Sequence, residues 1–234
     1  MMIWNREFMR SFIAFLMFVS FVLLIIKRKN IEKGSSYFIA AIGLLAFIEV
    51  YSAFQRLPDA TYNSSILKIV GVNFMVFLLF FLYFQNILTS GKLKKINAVL
   101  IVMFLLNYMC SAIIDKDFFN KFPFITYFVE VVLLTAGIYL VMSQTFNSEK
   151  ILALGNYFPF WACISLMVTY LGALPLLLIN DTVATLINLN IFSAILFLVN
   201  VAGYTILLFG IFKAKKGKLN FNWWSFQKQI FWWS

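Results

Sequence analysis

Histidine is absent from the 234-residue chain, and charged residues make up only 12% of it. The lack of histidine removes the side chain that proteins most often use as a general base near neutral pH and as a transition-metal ligand. Paired carboxylates in a DxxD arrangement and recognisable nucleophile motifs are missing as well. We therefore predict that the chain is not an enzyme, that it holds no metal and that it needs no cofactor.

Cysteine is scarce too, with only Cys110 and Cys163 in the whole sequence. Two cysteines are too few for a disulfide framework. In the helices predicted below, Cys110 lies near the outer end of one helix and Cys163 in the inner half of another, whereas a disulfide needs Cα atoms within about 7 Å. We expect two free thiols that serve as packing residues.

Apolar residues dominate what remains, at 63% of the chain, and 29 of them are phenylalanine. A soluble domain is about 45–50% apolar and about 25% charged. A soluble fold of this size could not bury so much apolar surface, because small domains leave a large share of their surface exposed. The composition therefore predicts an integral membrane protein. The formal net charge of +10 does not predict nucleic-acid binding, because the basic residues cluster between apolar runs.

Seven apolar stretches approach the roughly 20 residues that a helix needs to cross a bilayer. Lys27, Arg28 and Lys29 follow the first stretch where a signal peptide would have a small-residue cleavage site, so a retained helix is predicted. The seven stretches are Phe12 to Ile26, with a start as early as Phe8, Ser36 to Phe54, Ile66 to Leu88, Ile96 to Ile114, Phe122 to Ser143, Tyr157 to Ile179 and Ala184 to Phe212.

The basic residues predict the orientation of these helices. Most of the 19 Lys and Arg residues lie in the first, third and fifth connections and after the seventh stretch. Such residues accumulate on the cytoplasmic side of a membrane protein. The sequence thus predicts an all-α bundle of seven transmembrane helices over residues 1–212, with its N-terminus outside and its C-terminus in the cytoplasm. A multi-pass position in the plasma membrane, the inner membrane of a bacterium, fits this arrangement.

Residues 213–234 form a tail of different character, basic at first and then rich in tryptophan. Tryptophan favours the interface between membrane and water. We expect an amphipathic helix that anchors the tail to lipid on the inner leaflet, and docking of a cytoplasmic partner protein is the alternative. The residues that would form this surface are Trp223, Trp224, Phe226, Ile230 and Trp233.

Two carboxylates fall inside predicted helices, where an ionisable residue costs about 2.5–3.5 kcal/mol on insertion scales. Glu130 lies near the middle of the fifth helix and Glu49 in the outer third of the second. Glu130 is predicted with equal weight to be a ligand or ion site, or to form a structural hydrogen bond with a neighbouring helix. For Glu49 the structural role is favoured, because Arg56 follows two helical turns later.

Neutral polar residues lie at a similar depth in several helices, which suggests a shared polar pocket in the outer half of the bundle. The alternative is that each one forms an isolated hydrogen bond between helices, worth roughly 0.6 kcal/mol. The candidate pocket residues are Glu130, Tyr127, Asn73, Asn107, Tyr170, Asn200 and Tyr204. In the sixth helix, Gly172 and Pro175 predict a helix break, since proline removes a backbone hydrogen bond.

The segment Phe158-Pro159-Phe160-Trp161, followed by Tyr170, Gly172 and Pro175, resembles one family. It is similar to part of uncharacterised seven-helix bacterial membrane proteins, some of which resemble the sensory membrane halves of histidine kinases. The resemblance implies a non-enzymatic sensor or accessory subunit that acts through helix movement or through docking. Only about twenty residues follow the seventh helix, so a separate signalling protein is an expected partner, beside the lipid bilayer. The alternative function is a small transporter or channel that uses a buried carboxylate.

Overall fold

The computed structural model describes residues 6–31, 34–56, 64–120, 122–175 and 189–214. Its regular structure in these ranges is entirely helical, and seven of the helices are long and apolar enough to cross a membrane. The predicted all-α fold and the predicted number of helices are therefore confirmed. Together these helices indicate a multi-pass membrane protein.

The bounds of the helices agree closely with the apolar stretches of the sequence. A short 3₁₀ segment, Glu149–Asn156, precedes the sixth helix. The seven helices are α1 (Arg6–Ile26), α2 (Ser36–Arg56), α3 (Ser65–Ile87), α4 (Gly91–Ile114), α5 (Phe124–Phe146), α6 (Phe158–Pro175) and α7 (Leu189–Lys213).

Three helices begin at points that differ from the predicted ones, and the first of them, α1, begins at Arg6, two residues before Phe8. The fourth helix begins at Gly91, five residues before Ile96, because a helix can extend beyond the apolar run through basic residues such as Lys92. The fifth begins at Phe124, after Pro123, whose ring disfavours helical backbone in the residue before it. The predicted start of the seventh span at Ala184 lies outside the described residues.

Consecutive helices run antiparallel, so the bundle has two ends. The Nζ of Lys27, just after α1, donates a hydrogen bond to the backbone oxygen of Phe212 near the end of α7, at 3.3 Å. Phe12 and Phe197, near the starts of the same two helices, have ring centroids 5.8 Å apart. We call the end that holds residues 26, 36, 87, 91, 146, 158 and 213 the Lys27 end. The opposite end, which holds residues 6, 56, 65, 114, 124, 175 and 189, is the Arg6 end.

The helices differ in how far they are buried. Of the residues in the apolar part of α5, 56% are buried, against 11% for α4. Helix α5 therefore lies inside the bundle and α4 at its periphery. Both cysteines are free, but Cys110 is exposed on α4 while Cys163 is buried in α6. The expectation that both are packing residues is thus wrong for Cys110.

Two helices contain a stretch of wider π-helix. These stretches are Lys68–Val76 in α3 and Met167–Leu171 in α6. Pro175 lies one turn beyond the stretch in α6, and it has no N–H to bond the carbonyl of Leu171. The predicted break at Gly172 and Pro175 is therefore a distortion in the preceding turn, and helical backbone continues through Gly172 to Pro175.

Candidate functional site

A cavity of about 220 Å³ lies in the half of the bundle nearer the Arg6 end. Its walls come from every helix except α4. Polar groups and apolar groups both contribute to its surface. The lining residues are Met17, Leu45, Glu49, Lys68, Val72, Asn73, Phe122, Tyr127, Thr169, Tyr170, Ala173, Leu196, Asn200 and Tyr204.

The structure brings together five of the seven residues suggested for a shared pocket, and it leaves two outside. Asn73, Tyr127, Tyr170, Asn200 and Tyr204 line the cavity, and so does Glu49, which was given only a secondary place. Glu130 and Asn107 do not line it. The pocket is therefore centred on α2, α3, α6 and α7 rather than on Glu130.

An ion pair between α2 and α3 forms one part of the cavity wall. The Nζ of Lys68 lies 3.5 Å from Oε1 of Glu49, and the two side chains are 38% and 23% exposed. The same carboxylate lies within electrostatic range of the Tyr204 phenol. The sequence had suggested Arg56 as the charge nearest Glu49 along the helix, and the structure gives Glu49 a partner in Lys68.

Asn73 provides a second polar group on the α3 wall. Its side chain is 2% exposed, and its Nδ2 finds no hydrogen-bond partner among the described residues. A buried donor without a partner costs about 1–3 kcal/mol. The side-chain amide can rotate by a half-turn about its last bond, so either its NH₂ group or its oxygen can face the cavity. Asn73 can therefore present a donor to a molecule in the cavity.

The π-helical stretch of α3 explains how Lys68 and Asn73 reach the same cavity. In an α-helix, residues five apart point about 140° away from each other. In π-helix the backbone bond joins residues five apart, so such residues lie in successive turns on one side. Met167–Leu171 of α6 likewise carries Thr169 and Tyr170 to the cavity. Both widened stretches of the bundle's described helices thus border the same space.

Tyrosine rings separate the cavity from the apolar core. Tyr127 packs against Phe122 and Phe77, with ring centroids 5.3 Å and 6.0 Å apart. Tyr170 packs edge-on against Phe77 and Phe80, at 5.0 Å and 6.0 Å. Towards the Lys27 end these rings continue into a cluster of fully buried aromatic side chains.

Glu130 occupies a different position in α5. Its side chain is 0% exposed, and neither carboxyl oxygen forms a hydrogen bond with the described residues. The phenols of Tyr127 and Tyr108 lie within electrostatic range. Asn107 has a structural contact instead, since its Nδ2 donates to the backbone oxygen of Thr126 at 3.2 Å and joins α4 to α5.

Sequence reasoning did not single out Lys68, although a clue was available. Lys68 is the third residue of its predicted span, and Glu49 is at the matching depth in the preceding antiparallel span. Opposite charges at one depth in neighbouring helices favour a pair. The residues of the tryptophan-rich tail, Trp223, Trp224, Phe226, Ile230 and Trp233, lie outside the described residues, as does the side chain of Arg56.

The side chains around the cavity are suited to binding a ligand. One cation, one anion, two amides and several hydroxyl groups surround an apolar space. Within the described ranges, no three His, Cys, Asp or Glu side chains come close enough together to hold a metal ion. The arrangement suits a small molecule with both polar and apolar parts.

No protein-family model, curated protein or solved structure matches the chain. The function must therefore be inferred from the cavity and from the packing around it. Two features bear on that inference, namely the charged and polar lining and the aromatic cluster beneath it.

Proposed function

We propose that the chain is a non-enzymatic sensor of the bacterial inner membrane that binds a small ligand in this cavity. Its N-terminus lies outside and its C-terminus in the cytoplasm, so the cavity belongs to the outer half of the bundle. Binding there alters helix packing at the Lys27 end, on the cytoplasmic side. The distribution of Lys and Arg supports this orientation.

The observation that carries the proposal is that Tyr170 contacts both the cavity and the aromatic core. Its ring lines the cavity and also packs edge-on against Phe77 and Phe80. Phe80 contacts Phe38 at 5.7 Å, and Phe38 contacts Phe158, the first residue of α6, at 5.5 Å. Contiguous packed side chains of this kind are a physical route by which two sites can be coupled.

The two π-helical stretches supply an element that can move. Wider turns of this kind occur often at functional sites. A ligand that contacts both α3 and α6 changes the relative stability of the two windings only if it binds one of them more tightly. Helix movement in the sensor therefore starts in these stretches.

A small transporter or channel is the alternative, and the site supports it less well. A transporter that uses Glu130 should expose this carboxylate to the cavity, and Glu130 does not line it. A conducting path also has to cross the Lys27 half, which Phe38, Phe80 and Phe158 occupy with at most 2% exposure. Packed aromatic rings suit the transmission of a movement better than the passage of a solute.

The output of the sensor passes to a partner protein. The resemblance of the α6 segment to the sensory membrane halves of histidine kinases supports such a role. The tryptophan-rich tail and the basic residues at the Lys27 end, among them Lys27 and Lys213, provide surfaces for a cytoplasmic or membrane signalling protein and for anionic lipid. Nucleic acid is not an expected partner.

The proposal can be tested without knowing the natural ligand. In a Cys110→Ser background, Ala173→Cys places a thiol in the cavity wall, and a small methanethiosulfonate reagent then tethers a group inside the cavity. Hydrogen exchange of the full chain in nanodiscs reports the response at the Lys27 end. We expect exchange of the backbone amides of Thr89 and Tyr157 to change severalfold on modification.

The matched control is Ile125→Cys. Ile125 lies on α5 at the same end of the bundle, and its side chain is 80% exposed. Modification of that thiol should leave the Lys27 end unchanged. An effect confined to the turns next to Ala173 would contradict sensing. Solute efflux through the unmodified chain in liposomes would favour the transporter instead.

A further inference from the structure

The chemistry of the cavity narrows the class of ligand, on the condition that the cavity is the sensing site proposed above. We propose that the ligand is a small zwitterion with an apolar body, such as an α-amino acid with an aliphatic side chain. Its ammonium group binds Glu49, and its carboxylate binds Lys68 and Asn73. The ligand takes its place between the two members of the existing ion pair.

The first argument is charge balance. Glu49 and Lys68 are 3.5 Å apart, and together they carry no net charge. A ligand with a single charge would pair with one of them and leave the other, which is only partly exposed, without its partner. An unpaired charge there is costly. A zwitterion replaces each partner of the pair with a new one, so no charge is left alone.

The second argument is the orientation imposed by α3. Lys68 and Asn73 both line the cavity, and the Nδ2 of Asn73 finds no partner in the described part of the chain. An ammonium group and an amide donor on one wall suit a carboxylate. Glu49, on α2, then faces the cationic end of the ligand. The hydroxyl group of Tyr204, which lies near Glu49, adds a further acceptor for an ammonium group.

The third argument is size and lining. A cavity of about 150 Å³ can hold a benzene molecule, and pockets for drug-sized ligands begin at about 300 Å³. At about 220 Å³, this cavity suits a ligand between those sizes. Met17, Leu45 and Val72 supply apolar surface for a short aliphatic chain. Leucine and methionine meet all of these requirements.

The test compares three ligands that share the same 3-methylbutyl chain. L-leucine carries both charges, 3-methylbutylamine only the positive one, and 4-methylpentanoate only the negative one. Isothermal titration calorimetry on the full chain in nanodiscs measures the Kd of each. We expect leucine to bind at least about tenfold more tightly than either analogue, because each analogue leaves one charge of the pair unsatisfied. Equal Kd values for the three, or no binding of leucine or methionine, would overturn the proposal.

Two variants of the ion pair should reverse the preference. In Glu49→Gln the remaining Lys68 favours 4-methylpentanoate over leucine, and in Lys68→Gln the remaining Glu49 favours 3-methylbutylamine. Asn73→Leu should weaken leucine by about threefold to tenfold, as expected for one lost hydrogen bond, and should leave 3-methylbutylamine unaffected. Equal losses for all three ligands in every variant would instead indicate general damage to the cavity and contradict the assignment of charges.

The outcomes also separate this inference from the proposed function. Suppose that the tethered group at Ala173→Cys alters the Lys27 end while no zwitterion binds. The sensor then stands, and the ligand class is wrong. Suppose that leucine binds with the expected preference while hydrogen exchange at Thr89 and Tyr157 does not change. The ligand class then stands, and sensing through the aromatic cluster is wrong.

Discussion

The ring of Tyr170 packs against the ring of Phe77 with centroids 5.0 Å apart and planes inclined by 74°. Tyr170 belongs to the π-helical stretch of α6, and Phe77 directly follows the π-helical stretch of α3. This one contact therefore links the two distorted helices, and it does so at the floor of the cavity. A change in the winding of either π-helical stretch would move one of these rings relative to the other.

The Tyr170 contact leads to a prediction about stability. Edge-to-face ring pairs contribute about 0.5–1.5 kcal/mol each beyond the area that they bury. Because Tyr170 packs edge-on against two rings, Tyr170→Leu should lower the free energy of unfolding by about 1–3 kcal/mol. Tyr170→Phe, which keeps the ring, is the control and should cost much less. Unfolding of the two variants by sodium dodecyl sulfate in mild detergent micelles compares them, and an equal loss in both would assign the effect to the hydroxyl group instead.

The orientation of the bundle can be tested with two exposed positions outside the helices. Lys116 follows α4 at the Arg6 end, and Asn147 follows α5 at the Lys27 end. In a Cys110→Ser background, we expect Lys116→Cys to react with a membrane-impermeant thiol reagent on intact cells. Asn147→Cys should react only after the membrane is permeabilised. The reverse pattern would place the N-terminus and the cavity on the cytoplasmic side.

The helices of this fold could be predicted closely because a membrane span is a long apolar run of nearly fixed length. Their ends were less predictable. Hydropathy placed the start of the fourth span at Ile96, but the helix begins at Gly91, since basic residues are compatible with helix at the membrane surface. The rule that proline disfavours helix in the residue before it would have moved the start of the fifth span past Pro123.

The candidate site could be predicted only in part, and the reason is physical. Depth in the membrane follows from position in a span, so Asn73, Tyr170, Asn200 and Tyr204 could be grouped at one level. The direction in which each points could not be read, because lipid and protein interior are both apolar and leave little amphipathic pattern. Glu130 was grouped with them for its depth alone, and the structure turns it away from the cavity.

The contact between α6 and α7 depends on Gly203. A Cβ atom at this position would collide with the Thr169 side chain and would lie 3.3 Å from the backbone oxygen of Ser165. The Ser165 hydroxyl donates a hydrogen bond to the backbone oxygen of Gly203 at 2.8 Å, which requires this close approach. Gly203→Val should therefore reduce stability by about 1–3 kcal/mol through overpacking.

A matched glycine shows whether the Gly203 effect is steric. A Cβ atom at Gly155 would meet nothing within 4 Å. Gly155→Ala should leave the melting temperature in detergent within a degree or two of the native value, while Gly203→Val lowers it clearly. Ser165→Ala, which removes only the hydrogen bond, should cost roughly 0.6 kcal/mol. A Gly203→Val variant as stable as the Gly155→Ala control would show that α7 can shift away from α6.

The Gln144 side chain forms hydrogen bonds with the connection between α3 and α4 at the Lys27 end. Its Oε1 accepts hydrogen bonds from the backbone N–H groups of Thr89 and Ser90, at 2.6 Å and 3.3 Å. Gln144→Leu should remove the acceptor of these two exposed donors, at a cost of about 0.5–1.5 kcal/mol, and should speed hydrogen exchange at Thr89. Asn86→Ala is the control, because Asn86 is exposed and, among the residues that the structure describes, its side chain bonds the backbone of its own helix. Equal exchange in both variants would mean that water replaces Gln144 without loss.

Variants of Glu130 can show whether its carboxyl group has a structural role or a functional one. A fully buried carboxyl group without a partner costs about 1–3 kcal/mol, so its replacement by an apolar residue of similar size should recover that amount. We expect Glu130→Leu to unfold at a higher concentration of sodium dodecyl sulfate than the native chain. Glu130→Gln, which keeps a polar group in the same place, should fold normally with little change in stability.

The response of the Lys27 end in these two variants completes the test. Suppose that Glu130→Leu is more stable than the native chain while hydrogen exchange at Tyr157 no longer changes when the cavity is modified. That result would show that the carboxyl group lowers the stability of the protein but is needed for the response. Loss of stability in Glu130→Leu would show that the carboxyl group bonds a part of the chain outside the described residues. A more stable variant with a normal response would leave Glu130 without a part in sensing. Since the cavity does not include Glu130, an effect on the response would have to pass through Tyr127, which lines the cavity one turn earlier in α5.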